Sequence, residues 1–360
     1  VKAANGVILV TTKRGRNEKT RINFNTTFSW QRPTIYPEMA NAAQFVELTD
    51  EDKINRGEVP LYGEDELKKW QQGGAGYEST DWYDEIVRPW APQQQYNLNI
   101  RGGKEELKYF ASIGYVNSSG MWKSGSNNFD RFNLRSNVDA KITKGLSASL
   151  TISGRKEMRD SPYDNAGTIM SAIVRNYPMY KPYADADGRY YGKTNVAHQN
   201  PVVISGKDAG YYRGETKVFE GSGSLNYDFE GLIDGLTAKA LYYYRSTTLF
   251  ESKFRKKYNL YEYNEATKLY DVTYTGNDPS HLTKTFNDYN YATFQGSLNY
   301  NRSFGKHDIA ALFLMETREG DNANFNAYRE YIIDALEELN AGFDKNKNNG
   351  VSSSEESNIG

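Results

Sequence analysis

The chain has 360 residues, no cysteine and a formal net charge of −2, and its aromatic residues include 29 Tyr and 16 Phe. Lack of cysteine excludes a disulfide framework and thiolate metal sites, and the near-balanced charge offers no cation excess for nucleic acid. No apolar run approaches the ~20 residues of a membrane helix, the aromatic excess favours an all-β protein, and a mean hydropathy of −0.78 is also what a transmembrane barrel shows, since only alternate residues face lipid and the loops are polar.

The first stretch, Ala3 to Gly15, organises the rest. Asn5-Gly6 is turn chemistry, because both residues tolerate φ > 0. Val7 to Val10 is a continuous, mostly β-branched apolar run that reads as a strand buried on both faces. Lys13-Arg14-Gly15-Arg16 ends it in a basic turn. From Arg21 to Gln31 the pattern changes to alternation, with Ile22, Phe24, Thr26, Phe28 and Trp30 on one face and Thr26 the one weak member of that apolar set. That is the period of a strand between an apolar medium and water, at the ~9–11 residues a tilted membrane strand needs. Trp30 falls where an aromatic girdle residue would.

Pro33 and Pro37 stop this strand. Helical spacing follows over Ala40 to Asn55, and Glu64 to Gln72 reads as a second short helix. Thr80-Asp81-Trp82 comes next, with Trp82 read as a packing anchor of a surface insertion. Alternation resumes at Tyr96–Ile100 and Leu107–Tyr115, and after a polar loop holding Trp122 at Phe132–Ile142 and Leu146–Ile152. It returns at Phe219–Phe229, Leu236–Tyr244, Ala292–Tyr300 and Ile309–Met315, for about nine strands in all. From Gly320 the chain reads as helical, then polar. Short turns (102–105, 143–145, 231–235, 305–307) alternate with long connections (33–94, 117–128, 155–217, 246–288, 320 onward). Short turns on one side and long loops on the other are the habit of membrane barrels, whereas soluble sandwiches keep loops short at both ends.

Ala-Ala-Asn-Gly-Val-Ile-Leu-Val-Thr-Thr-Lys-Arg-Gly at 3–15 resembles the end of the plug domain in SusC/RagA-type TonB-dependent outer-membrane transporters. Thr80-Asp81-Trp82 is similar to a signature of that family's helical excursion before its second barrel strand. The resemblance implies an all-β fold, a plugged barrel of ~22 antiparallel strands, of which this chain would be a fragment. Residues 1–16 would be the last plug strand and 17–360 the first part of the barrel, ending inside an extracellular loop. Asn5, Gly6, Lys13 and Arg14 would form the plug–barrel joint. The resemblance further implies a Gram-negative outer membrane, a SusD-like lipoprotein lid, energy from a TonB–ExbB–ExbD complex, and import of an oligosaccharide or glycan, or in some members an oligopeptide.

Chemistry-bearing constellations are sparse. Asp344, Asn346, Asn348 and Glu355 occupy positions 1, 3, 5 and 12 of an EF-hand-like Ca²⁺ loop, but Asn349 stands where glycine is expected, so a solvated polar loop is the preferred reading. Asp185-Ala186-Asp187-Gly188 reads as a β-turn. His198, His281 and His307 fall apart from one another, and no nucleophile, phosphate-loop or zincin pattern appears, so neither an enzyme nor a cofactor is expected. Trp122, Tyr177, Tyr180, Tyr183, Tyr190, Tyr191, Tyr211 and Tyr212 lie in long connections. They are candidates for ligand or partner contact, with loop packing the blander reading. Arg131, Asn133, Arg135 and Lys141 should face the lumen as polar bridges to the plug. The rival to a transporter is a secreted or surface β-rich carbohydrate-binding or carbohydrate-active protein, in which the Ile22–Trp30 face packs against a second sheet.

Overall fold

A computed structural model describes residues 13–193, 200–333 and 336–360. The strand read at Val7 to Val10, with Asn5 and Gly6, lies outside the described residues, as does His198. The strands are β1 (Glu18–Gln31), β2 (Ala91–Gly103), β3 (Leu107–Ser119), β4 (Asn128–Lys141), β5 (Leu146–Pro162), β6 (Gly210–Asp228), β7 (Leu236–Arg255), β8 (Tyr258–Asn264), β9 (Leu269–Gly276), β10 (Ser280–Phe304), β11 (His307–Tyr331) and β12 (Phe343–Ile359). Ten of them form one sheet in the order β1-β2-β3-β4-β5-β6-β7-β10-β11-β12, and β8–β9 make a separate hairpin. Every pairing is antiparallel. The all-β fold and the nine alternating strands are thus as read from the sequence, with β12 added.

The register explains why the alternation was so regular. Phe24 stands opposite Leu98, Leu98 opposite Ile113, and Ile113 opposite Leu134. Further along, Val138, Leu150, Gly223, Tyr242 and Phe294 are successive cross-strand neighbours. One face of the sheet therefore carries a continuous apolar belt. Its side chains are uncovered: Ile22 is 67% exposed, Phe24 66% and Trp30 64%. A row of rings edges it, with centroids 5.9 Å apart for Phe28–Tyr96, 6.3 Å for Tyr96–Tyr115 and 4.5 Å for Tyr115–Phe132. An exposed apolar band bounded by aromatic rings is the outer surface of a membrane barrel. Among the described residues no second sheet packs on it, contrary to what the secreted-protein reading requires.

The wall is taller than the belt. β6 and β7 run for 19 and 20 residues and β10 and β11 for 25 each, against the ~9–11 that cross a bilayer. The long connections are correspondingly shorter than expected. They span 32–90, 163–209 and 256–279 rather than 33–94, 155–217 and 246–288, and β8–β9 folds within the last. The expectation of one loop from 320 to 360 is wrong. β11 continues to Tyr331, a short connection follows, and β12 returns along it, with Phe325 opposite Val351 and Gly320 opposite Glu356. β12 itself carries almost no apolar alternation, Val351 apart, because this part of the wall stands above the belt.

Candidate functional site

The long connections fold together into one cap at the far end of the wall. Its helices are α1 (Ala42–Asn55), α2 (Glu64–Gln72), α3 (Trp82–Ile86), α4 (Ala166–Arg175) and α5 (Pro201–Ser205). The first two stand where the sequence placed them. α1 starts at a capping box in which Asn41 accepts from the Gln44 amide and the Gln44 side chain accepts from Asn41 N–H. Asp81, Asn165 and Asn200 cap α3, α4 and α5 in the same manner, each accepting a helix amide. α4 escaped the sequence reading, although Asn165 followed by Ile169 and Ile173 on one helical face was its signal. Both isoleucines are 0% exposed.

The cap's core joins distant segments: Trp82, Ile86, Trp122, Ile169, Ile173, Val203, Ile204, Tyr258 and Leu260 pack as one cluster. Polar bonds lace the same segments. Trp82 Nε1 donates to the Tyr177 carbonyl at 2.9 Å. Arg88 donates to the Trp122 carbonyl at 2.8 Å, and Ser126 donates to the Ser205 carbonyl at 2.7 Å. Asn200 Nδ2 donates to the carbonyls of Pro182 and Tyr191. The Trp82 anchor is as read, being 3% exposed. Trp122 is not a contact residue: at 7% exposure it is part of this core, and its ring faces Trp82's cluster instead of solvent.

The tyrosine candidates fall together. Tyr177 sits 5.1 Å from Tyr180 and 5.0 Å from Phe45, Tyr180 sits 5.7 Å from Tyr191, and Tyr183 stacks on Tyr190 at 5.6 Å. Burial, then the neighbouring Tyr177, raises the Tyr180 hydroxyl pKa to about 12. Burial likewise raises Tyr190, whose hydroxyl donates to Asp208, and Tyr191. Tyr183 remains 40% exposed, so it presents a ring edge of this cluster to solvent. Tyr211 lies elsewhere: it is buried with Phe254, Leu282 and Tyr331 on the belt-side face of the upper wall, and its hydroxyl donates to Glu337 at 2.7 Å. Tyr212 points to the opposite face, where it donates to Glu251.

The polar face of the wall opposes the belt and carries Arg131, Asn133, Arg135 and Lys141, as read. The segment before β1 lies on that face. Asn137 donates to the Lys13 carbonyl at 2.7 Å, and Arg14 pairs with Asp139 at 2.6 Å. Gly15 passes so close that a Cβ there would meet the Tyr109 amide nitrogen at 2.3 Å.

The Ca²⁺ loop reading fails on geometry. Asp344 to Glu355 is part of strand β12, not a loop, and an extended run of that length separates its ends by roughly 30 Å. Asn346 instead donates to Glu330 at 2.7 Å, and Lys347 sits 3.4 Å from Asp344. Among the described residues no three His, Asp or Glu side chains form a metal-holding group. Asp185 to Gly188 is a turn, with the Ala184 amide donating to the Arg189 carbonyl at 2.6 Å.

An antiparallel wall with a lipid-facing belt, a polar inner face and a folded cap defines the outer-membrane barrel class. No family model matches the chain. Among curated proteins it is 28% identical over 322 residues to TonB-dependent receptor P3 of Formosa agariphila, covering 86% of this chain and 28% of that relative. It is 24% identical over 259 residues to TonB-dependent receptor SusC of Bacteroides thetaiotaomicron, covering 65% of this chain and 23% of that relative. Among solved structures, the RagAB peptide transporter superposes with a TM-score of 0.75 at 19% identity, covering 99% of this chain and 41% of that one. Its "closed-closed" state gives 0.73 at 21% identity, covering 98% and 41%. The chain is part of a TonB-dependent receptor, of the kind to which SusC belongs. It spans about a quarter of the length of the curated relatives it matches, and these are receptors and transporters, not enzymes.

Proposed function

We propose that this chain supplies wall and cap to a TonB-dependent importer in the outer membrane of a Gram-negative bacterium. The nutrient is an oligomer too large for an open pore, an oligosaccharide or glycan in the first instance and a short peptide in the second. A SusD-like lipoprotein closes over the cap, and the TonB–ExbB–ExbD complex supplies the energy. The two-faced wall carries this reading. A belt of exposed Ile, Leu, Phe and Trp is tolerable only against lipid, and the opposite face is polar and holds the Lys13–Arg14 segment as a barrel would hold the end of its plug. The cap offers the lid a rigid surface at Tyr183 and its ring neighbours. RagAB, whose fold this chain shares, is named as a peptide transporter, in accord with the second nutrient class.

The test is uptake of fluorescent oligosaccharides and peptides by cells with the intact receptor, without it, and without TonB. Import that needs both is expected. Import undiminished by loss of the receptor overturns the reading.

A further inference from the structure

The inner face of the wall changes character around its circumference. β4, β5 and β6 present Arg131, Arg135, Arg155, Glu157, Arg159 and Glu220 on it. β10, β11 and β12 present a different set. Thr293 stands in one row with Tyr243 and Arg318, on the face opposite the belt residue Phe294. From Thr283 to Thr293 every second residue of β10 shares that inner face, and none is charged. The same holds from Gly320 to Tyr328 on β11 and from Asn348 to Ser354 on β12, where the inward residues are Asn, Ser, Gly and one Tyr. Below this stretch Arg318 is taken by Glu316, and beside it Arg245 stands 3.8 Å from Glu220. An uncharged strip therefore runs for about 33 Å along the strands and ~10 Å across them.

Two rings stand in the strip. Tyr289 and Tyr291 are successive inward residues of β10, and both are exposed. Tyr243 on β7 meets the Tyr291 ring at 6.3 Å, roughly edge to face, and its hydroxyl donates to Glu220 at 3.2 Å. Asn322 lies directly opposite Tyr289, and its Oδ1 is buried without a hydrogen-bond partner. The Thr293 row leads back through Tyr243, Ser222 and Thr151 to Asn137, which holds the Lys13 carbonyl. Tyr291 and Tyr289 occupy the next two inward positions toward the cap.

We infer that this strip is a track for uncharged sugar units, with ring faces stacked on Tyr289 and Tyr291 and sugar hydroxyls bonded by Asn322 and its polar neighbours. The inference rests on the import reading above and narrows its nutrient to a neutral oligosaccharide. Charge selects this occupant. A peptide with ionised ends, or an acidic glycan, would bring ions against a wall that has none to answer them. Neutral sugars meet no such cost. Asn, Ser and Thr side chains both donate and accept hydrogen bonds, as sugar hydroxyls do. The apolar face of a sugar ring needs a flat partner, and tyrosine supplies one with a polar edge.

Binding to the full-length receptor with its lid lipoprotein tests this. The probes are maltohexaose, xylohexaose, laminarihexaose and mannohexaose, with hexagalacturonate and a penta-alanine peptide with free ends as charged controls. At least one neutral sugar should bind about tenfold more tightly than either control, with little dependence on salt. Tyr289→Ala/Tyr291→Ala should weaken that sugar about tenfold. Tyr289→Phe/Tyr291→Phe should keep most of the affinity, because stacking uses the ring and not the hydroxyl. Tyr289→Leu/Tyr291→Leu keeps the bulk without the ring, so it should bind as weakly as the alanine variant and replaces it where that variant does not fold. No binding of any neutral probe, a charged control bound as tightly as the sugars, or full affinity in the alanine and leucine variants overturns the inference. Unchanged affinity with raised sensitivity of the cells to vancomycin also overturns it, by assigning the rings to packing on the plug. Uptake separates it from the parent reading: TonB-dependent import at the wild-type rate in these variants overturns only the track, and absence of all import overturns both.

Discussion

Asp50 shows how much a single buried carboxylate can fix. It is 8% exposed, and it accepts the amides of Tyr62 at 2.9 Å and Gly63 at 2.8 Å, tying α1 to the start of α2. Burial alone would raise its pKa, but the amides of Tyr62, Gly63 and Leu61 outweigh this and hold it below the ordinary carboxylate value. A depressed folded-state pKa means that the contribution is complete above the unfolded value near 4 and is lost as pH falls through the lower folded value. Hydrogen exchange over residues 42–72 should therefore rise at acid pH in the native receptor. Asp50→Asn should show the raised exchange already at pH 7, because an amide accepts one of these bonds and turns its donors on the other. Trp82 acts by bulk as well as by its bond. Trp82→Ala should cost the cap about 3–5 kcal/mol, and limited proteolysis should then cut at 163–209 while the wall stays intact.

Among elements, the strands of the belt were legible and the upper wall was not, for one physical reason. Period-two hydrophobicity is imposed only where one face meets lipid and the other water. Phe132 to Ala140 obeys it, so β4 could be read residue by residue. β12, with its run Asn348-Asn349-Gly350-Val351-Ser352, pairs with the part of β11 above the belt and has no such constraint. Its oxygens at spacings of two looked like a cation loop, because side chains alternating along a strand and ligands alternating along a loop share that spacing. The cap was half legible. Its helices carried cap residues, but the packing of Tyr177, Tyr180, Tyr183, Tyr190 and Tyr191 into one cluster depends on chain segments that no local pattern connects. Trp122 was misplaced for the same reason. Because these 360 residues hold no cysteine, the wall assignment is testable by single-cysteine scanning. Cysteines at 132, 134 and 138 should resist an aqueous maleimide, and those at 131, 133 and 135 should react; uniform reactivity along β4 would contradict the two-faced wall.

For the whole molecule, the belt decides where the protein can live. Leu134 is 50% exposed on that face, and Leu134→Arg should cost ~2–4 kcal/mol at mid-bilayer. The measurement is the midpoint of urea-driven unfolding from vesicles. Asn133→Arg, one residue along and facing inward, should cost far less. The comparison sets a guanidinium in lipid against one on a polar, already arginine-bearing face.

The cap's core also sets an order of events during manufacture. Each wall strand pairs with the next wall strand in the chain, but β1 and β2 lie across residues 32–90, β5 and β6 across 163–209, and β7 and β10 across the β8–β9 hairpin. Hairpins can therefore form one after another as the chain arrives, since loop-closure cost grows only slowly with loop length. The cap has no such schedule. Trp82 needs Ile173, Val203 and Leu260 to bury it, so it can close only after eight of the strands have been delivered. Until then the loops have no core to close on, and the cap's outer surface comes into being last.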